Sequence, residues 1–347
     1  MFANPNALIN RPLGTGSGGI GGIKAFAIAG FHAPLKSYLV LARGVGSPTF
    51  TRATTATVMG YAPTANSGDP QILLTVAAGE ARFTGARRIS QDVWSEFFAD
   101  GTPIPDATLK GYLSESAATN YFLNSGAPVT QTITLNPGTY TTWLTGAGTI
   151  TTSAGTATAT GYGVASAATP NVIVVTVAGT VVFTVAGTVT TAQVENTAFP
   201  TSYIATTTVA VTRNADLLTY PYSDGANISI YLEVDYVGGG GSLMLTPVAA
   251  GSYLSMGNGD GSTGWYASGI NGPTTGVHKQ AISEAGLNFK SFADGAVLGS
   301  SAASDYTGTS NILTIGMRNN LPMTGNIRNV RIWQTALPDA TLQALTT

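Results

Sequence analysis

Three consecutive runs decide the fold: Val172-Ile-Val-Val-Thr-Val177, Thr180-Val-Val-Phe-Thr-Val185 and Thr188-Val-Thr-Thr-Ala-Gln-Val194. Each is rich in β-branched side chains, which favour a pleated, half-buried backbone. Ala-Gly-Thr separates them at 178–180 and 186–188, and the same triplet stands earlier at 147–149 and 154–156. Glycine in such short breaks predicts hairpins between neighbouring strands. Short strands at regular spacing with turn signals between them predict a β-sandwich.

Working outward from these runs, charge is the next signal. From Ser116 to Thr212 the only charged side chain is Glu195, whereas Arg82, Arg87 and Arg88 precede this stretch and Arg328 and Arg331 follow it. The shift marks residues 112–216 as a domain of its own. Thr and Ser fill the outward positions where Lys and Glu would ordinarily sit, which gives a neutral surface suited to close packing.

Residues 217–347 read as a second β domain. In Ile228-Ser-Ile-Tyr-Leu-Glu-Val-Asp-Tyr-Val237 the residues Ile228, Ile230, Leu232, Val234 and Tyr236 alternate onto one face. Gly238 to Gly241 ends that strand. Residues 311–317 and 325–333 supply further strands, and Pro338 opens a short closing helix. Residues 49–111 read as a mixed connecting region, with strands at 49–54 and 71–76 and a helix over 91–98. Ser90 would cap that helix, and Val93, Trp94, Phe97 and Phe98 would share a face before Gly101 and Pro103 stop it. Residues 1–48 read as an extended arm, in which the glycine-rich 14–22 precedes short apolar runs at 25–31 and 38–42. An arm of this composition orders only against something else: it either docks onto a partner subunit, with Arg11, Phe26, Phe31 and Tyr38 as the anchoring contacts, or is a partly disordered terminus. The predicted class is therefore all-β: tandem β-sandwich or jelly-roll domains behind an extended N-terminal arm.

Composition excludes several functions. The 347 residues carry 9% charged side chains and a net charge of -2, against about 25% charged in an ordinary domain. No surplus of positive charge exists to neutralise a phosphate backbone, so no nucleic-acid partner is expected. With no Cys and two His, disulfide frameworks, thiolate metal sites and His-based triads fall away, and no cofactor is expected. No apolar stretch approaches the length of a bilayer span, and the first residues do not read as a secretory signal, so no membrane insertion is expected.

The remaining chemistry-bearing patterns are sparse. Gly14-x-Gly16-x-x-Gly19 matches a dinucleotide fingerprint only formally, for no strand precedes it and the first acid is Asp69. Asn258, Asp260 and Ser262 alternate oxygen ligands in the manner of a calcium loop, but only one is a carboxylate; a plain turn is the simpler reading. Trp265 and Tyr266 follow and could stack on a sugar ring, or lie in a core or interface. Glu233 and Asp235 share a strand face and are the candidates for a glycosidase pair, but no E-x-D-x-x-E pattern surrounds them, and solvated or intersubunit charges are the simpler reading. Arg82, Arg87 and Arg88 read as a solvated basic face. Asn227-Ile-Ser229 fits a glycosylation sequon.

Three stretches together resemble a known family. Phe50-Thr-Arg-Ala-Thr54-Thr-Ala-Thr57 with Gly111-Tyr-Leu-Ser-Glu115 and Thr119-Asn120 resembles the opening motifs of bacteriophage head-spike and tail-fibre proteins. Ala192-Gln-Val-Glu195, Thr201-Ser-Tyr-Ile204 and Val211-Thr-Arg-Asn-Ala-Asp216 are similar to the ending of the carbohydrate-binding-module-like jelly roll in those proteins. Gly325 to Thr346 resembles the last strand and helix of concanavalin A-like (laminin G-like) jelly rolls. The resemblance spans residues 49–347. It implies a virion surface location and a structural or attachment role, as a homo-oligomer with a trimer favoured. Other capsid or tail proteins would be the partners, host surface glycans a further ligand, and no catalysis is implied. The alternative function is a carbohydrate-binding receptor-recognition protein or a glycan-active enzyme.

Overall fold

The computed structural model describes residues 26–27, 40–41, 49–91, 93–221, 227–239, 243–247, 254–256, 275–285, 288–301, 310–318, 321–333 and 335–347. The described elements are strands, apart from one helix, Asp339–Thr346. The all-β class is as expected: the strands form two β-sandwiches.

The first sandwich lies within residues 118–213. A six-stranded sheet runs in the order Thr158–Thr160, Asn171–Val177, Gly138–Gly146, Val189–Glu195, Ala118–Asn120, Val211–Arg213. A four-stranded sheet faces it, in the order Gln131–Leu135, Gly179–Ala186, Thr149–Ala154, Val164–Ser166. Ile133, Leu144, Ile150, Ile173, Val175, Val181, Phe183 and Val194 fill the space between them.

The predicted strands are present, but their connections differ from the expected hairpins. Asn171–Val177 and Gly179–Ala186 belong to opposite sheets, and Val189–Glu195 returns to the first. From residue 131 to 195 every connection crosses the sandwich. The Ala-Gly-Thr breaks are therefore arches. Their glycines sit where the two walls come together: a Cβ on Gly148 would stand 2.5 Å from the Ala186 carbonyl oxygen, and one on Gly179 would stand 2.5 Å from the Ala157 nitrogen. Alternation explains the choice, since each run carries one apolar face and neighbours in opposite sheets bury those faces against each other.

The second sandwich is built from two distant parts of the chain. Its larger sheet holds Ala296–Ser301, Asn288–Ala293, Gly276–Ala285, Asn227–Gly239, Leu321–Trp333, Gly111–Ser114 and Phe83–Thr84 in that order, with Met317–Arg318 pairing on Leu321–Trp333. The smaller sheet runs Leu254–Met256, Leu243–Pro247, Ser310–Ile315, Leu217–Pro221, Thr49–Thr51. Strands from the region read as a connector thus complete both sheets, and Val58, Phe83, Trp94 and Tyr112 share one core with Ile230, Leu232, Ile315 and Ile327. Ile228, Ile230, Leu232, Val234 and Tyr236 are all buried, as their alternation predicts. The opposite face of the same strand is partly covered too, because Tyr231 packs with Ala281, Phe292 and the helix residue Leu342.

The helix expected over 91–98 is absent. Arg87–Ser90 and Val93–Ser95 form a short antiparallel hairpin instead. The segment's large aromatics still go inward: Trp94 in the hairpin and Phe98 just after it are buried, with Trp94 against Phe83 and Phe98 against Tyr61. Burying two aromatic rings outweighs a helical preference that eight residues can supply only weakly.

Candidate functional site

The chain passes between the sandwiches at residues 115–117 and 213–217, and the charges absent from the first module's surface collect beside this crossing. Arg52 follows the strand Thr49–Thr51, Arg82 precedes Phe83–Thr84, and Glu115 follows Gly111–Ser114. Arg213 ends Val211–Arg213, and Asp216 precedes Leu217–Pro221. All five side chains are buried. Arg52 Nη1 donates to Asp216 Oδ1 at 2.8 Å, and Arg82 Nη2 donates to Asp216 Oδ2 and lies 2.8 Å from Glu115 Oε2. Arg213 Nη2 lies 3.4 Å from Glu115 Oε2. The two acidic residues are also tied through the backbone: Glu115 N donates to Asp216 Oδ2 at 3.1 Å, and Asp216 N to the Glu115 carbonyl at 3.0 Å.

Three guanidiniums face two carboxylates here, which leaves one surplus positive charge out of water. Backbone carbonyls absorb it. Arg52 donates to Thr54 O and Ala77 O, Arg82 to Thr57 O, and Arg213 to Ser116 O. The Arg52 guanidinium also lies over the Phe50 ring, 5.3 Å from its centroid. Burial pushes the Glu115 carboxyl up, but Arg213, Arg82 and the Ser202 N–H and hydroxyl together hold it at about 2. A carboxylate so fixed takes up no proton near neutrality, and its side chain is buried. The cluster therefore acts as a joint that sets one sandwich against the other.

The first module reaches this joint through residues 197–206. Ser202 joins Glu115 and Arg82, and Tyr203 O accepts from the Thr57 hydroxyl at 2.7 Å. Phe199 lies against Gly238 of the long strand, where an added Cβ would meet its ring at 2.2 Å. Glu195 anchors the same segment, accepting from Trp143 Nε1 at 2.6 Å and from the Thr201 N–H at 2.8 Å. Burial raises its carboxyl above the ordinary value, only partly offset by these donors.

Glu233 and Asp235 border a dent of about 60 Å³ lined with Asp106, Lys110, Val277 and Arg328. Glu233 is not a free surface charge. It accepts from Arg328 Nε at 2.6 Å, Asn329 Nδ2 at 2.7 Å and the Tyr231 hydroxyl at 3.0 Å. Burial pushes its carboxyl up, and these three partners more than offset this, so it stays below its ordinary value. That is the wrong direction for a general acid, which must hold its proton near neutrality. Asp235 lies 3.5 Å from Lys110 Nζ.

The basic triplet differs from the expected solvated face. Arg82 belongs to the joint, Arg87 donates to Phe97 O and Pro63 O, and Arg88 pairs with Glu80 at 2.7 Å. Backbone carbonyls and acids of the same chain claim all three. Trp265, Tyr266, Asn258, Asp260, Ser262, Arg11, Phe31 and Tyr38 lie outside the described residues. Phe26 begins a two-residue strand, Phe26–Ala27, paired with Val40–Leu41. Among the described residues no cluster of His, Asp and Glu could hold a metal ion, and no helix is long and apolar enough to cross a membrane.

No family model matches the chain, and no curated protein matches it. Solved structures similar to parts of it include a native heptameric SAP-like pentraxin from Limulus polyphemus. That match has 12% identity, covers 38% of this chain and 75% of the pentraxin, and has a TM-score of 0.30. A second is the CBM40 of the Ruminococcus gnavus IT-sialidase, bound to α2,3-sialyllactose, at 16% identity, 36% and 84% coverage and TM-score 0.25. A third is domains LG4-5 of the mouse laminin α1 chain, at 12% identity, 65% and 90% coverage and TM-score 0.23.

Proposed function

We propose that this protein is a structural component of a bacteriophage virion surface, a head-fibre, decoration or tail-fibre subunit. The N-terminal region 1–48 anchors it, it works as a homo-oligomer, and it is not an enzyme. One observation carries the reading: a sandwich whose only charged side chain between Ser116 and Thr212 is the buried Glu195, fixed to a second sandwich by a buried five-charge joint. A Thr- and Ser-rich surface presents short side chains that lose little entropy when they pack against neighbours. A rigid joint suits display, because it holds the outer module at a set angle to the anchored one. The family resemblance over residues 49–347 supports the same role.

Deletion of residues 1–40 tests it. The truncated chain should keep its β circular-dichroism spectrum and its melting transition, yet fail to join particles assembled in its presence. Incorporation at the wild-type level would refute the anchoring role. A glycan array and a polysaccharide-degradation assay on the full chain test the alternative. Binding to a defined host glycan would move the reading to carbohydrate recognition, and hydrolysis lost on Glu233→Gln would move it to an enzyme.

A further inference from the structure

The four-stranded sheet of the first sandwich turns Ile150, Val181 and Phe183 inward. Its other wall carries only short side chains. In register across three strands stand Val164, Thr151 and Thr184, and in the next row Ser153, Val182 and Thr132. Strands about 4.8 Å apart and alternate residues about 6.7 Å apart make this a regular lattice of hydroxyl and methyl groups. Val164 is 54% exposed and Val182 half-buried, and none of the described residues covers the wall. It lies on the side of the sandwich away from the joint, which the six-stranded sheet and residues 197–206 approach.

We propose that this wall is a homotypic contact surface that docks onto the same wall of a second copy of this chain. The inference deepens the assembly reading above and rests on it only in taking the chain to work as a multimer. Charge identifies the occupant. Ordinary surfaces carry about 25–35% charged residues, and a partner with such a surface would bury unpaired charges against a wall that offers none in return. The one surface in view certain to lack charge is this module in another molecule. Hydroxyls add self-complementarity, since each threonine both donates and accepts and an identical wall can satisfy it in either role. Contact between identical walls is isologous, so it closes at two copies.

Sedimentation velocity on the full chain, with and without Val182→Glu plus Thr151→Glu, tests this. Wild type should be a dimer. The double variant should dissociate at least about a hundredfold more readily, because like charges then meet across the twofold axis. Its melting midpoint should match wild type, and Thr184→Lys serves as an independent variant should the pair fail to fold. Val172→Glu, on the six-stranded sheet, should leave the dimer intact. A monomeric or trimeric wild type, or a dimer indifferent to the wall variants, would overturn the proposal. A chain that dimerises through this wall but is absent from particles would instead end the virion reading and leave this one standing.

Discussion

At the scale of single residues, the joint stands or falls on Asp216. Its carboxylate takes the Arg52 and Arg82 guanidiniums and the Glu115 N–H. Asp216→Asn keeps the shape and removes the charge, leaving three guanidiniums against one carboxylate. Breaking a buried pair in this way costs about 3–5 kcal/mol, because the stranded charge has no water to return to. Urea unfolding should show a loss of that size, whereas Lys290→Ala, at the exposed Lys290–Asp339 pair, should cost under about 1 kcal/mol. Glu115 adds a dependence on pH. Its ordinary value of 4.5 falls to about 2 in the folded chain. The unfolded chain therefore binds the proton first as pH drops. The stabilisation, about 3 kcal/mol, is complete above pH 4.5 and is lost as pH falls from there through about 2. Glu115→Gln should flatten that part of the stability–pH curve; an unchanged slope would show that Glu115 is not held low. Four of the five joint residues were legible as motif positions, namely Arg52, Glu115, Arg213 and Asp216. Arg82 was not, because nothing in a run of basic residues tells a buried arginine from a solvated one until its acidic partners, 33 residues away or more, are in place.

Among elements, the contact to test is that between Phe199 and the long strand Asn227–Gly239. Gly238 has no side chain where the Phe199 ring passes, and a Cβ there would stand 2.2 Å from the ring. Gly238→Ala should therefore destabilise the chain, and Phe199→Ala should also cost stability through lost burial. Combined, they should cost less than their sum, with a coupling of about 0.5–3 kcal/mol in a double-mutant cycle. Strict additivity would mean that the strand and the 197–206 segment do not press on each other. The same scale shows where reading by pattern stops. The runs at 172–177, 180–185 and 188–194 announce strands, because β-branching and alternation are local properties. Whether the next strand lies beside the last or across from it is not local. Ala-Gly-Thr serves a hairpin and an arch equally well, and the register with Gly138–Gly146 and Thr149–Ala154 decides between them. The segment 90–98 went astray for a related reason. Its apolar spacing suits a helix, but Phe83 and Tyr61 receive Trp94 from a hairpin and Phe98 from the loop after it.

Over the whole molecule, the first sandwich is an insertion. The chain leaves the second sandwich after Gly111–Ser114, builds the first, and re-enters at Leu217–Pro221. Entry and exit adjoin, since Ala118 pairs with Arg213 and Asp216 N bonds the Glu115 carbonyl. Sequence could not show this nesting, for the boundary near 112–216 looks the same whether the flanks are separate or joined. The consequence is that residues 217–347 lack part of their own fold. Missing from that fragment are the strands Thr49–Thr51, Phe83–Thr84 and Gly111–Ser114, and with them the core side chains Val58, Phe83, Trp94 and Tyr112. Truncating even one large core side chain costs about 3–5 kcal/mol, against a total stability of about 5–15 kcal/mol. The isolated fragment should therefore show no cooperative melt and poor amide dispersion by NMR. By contrast, a chain in which a short glycine linker replaces residues 117–212 keeps all these strands. It also keeps all five joint side chains, Arg52, Arg82, Glu115, Arg213 and Asp216, and should melt in a single cooperative transition. A fragment 217–347 that folded cooperatively by itself would break the nested arrangement, and the joint would then have to be understood as a bridge between independent domains.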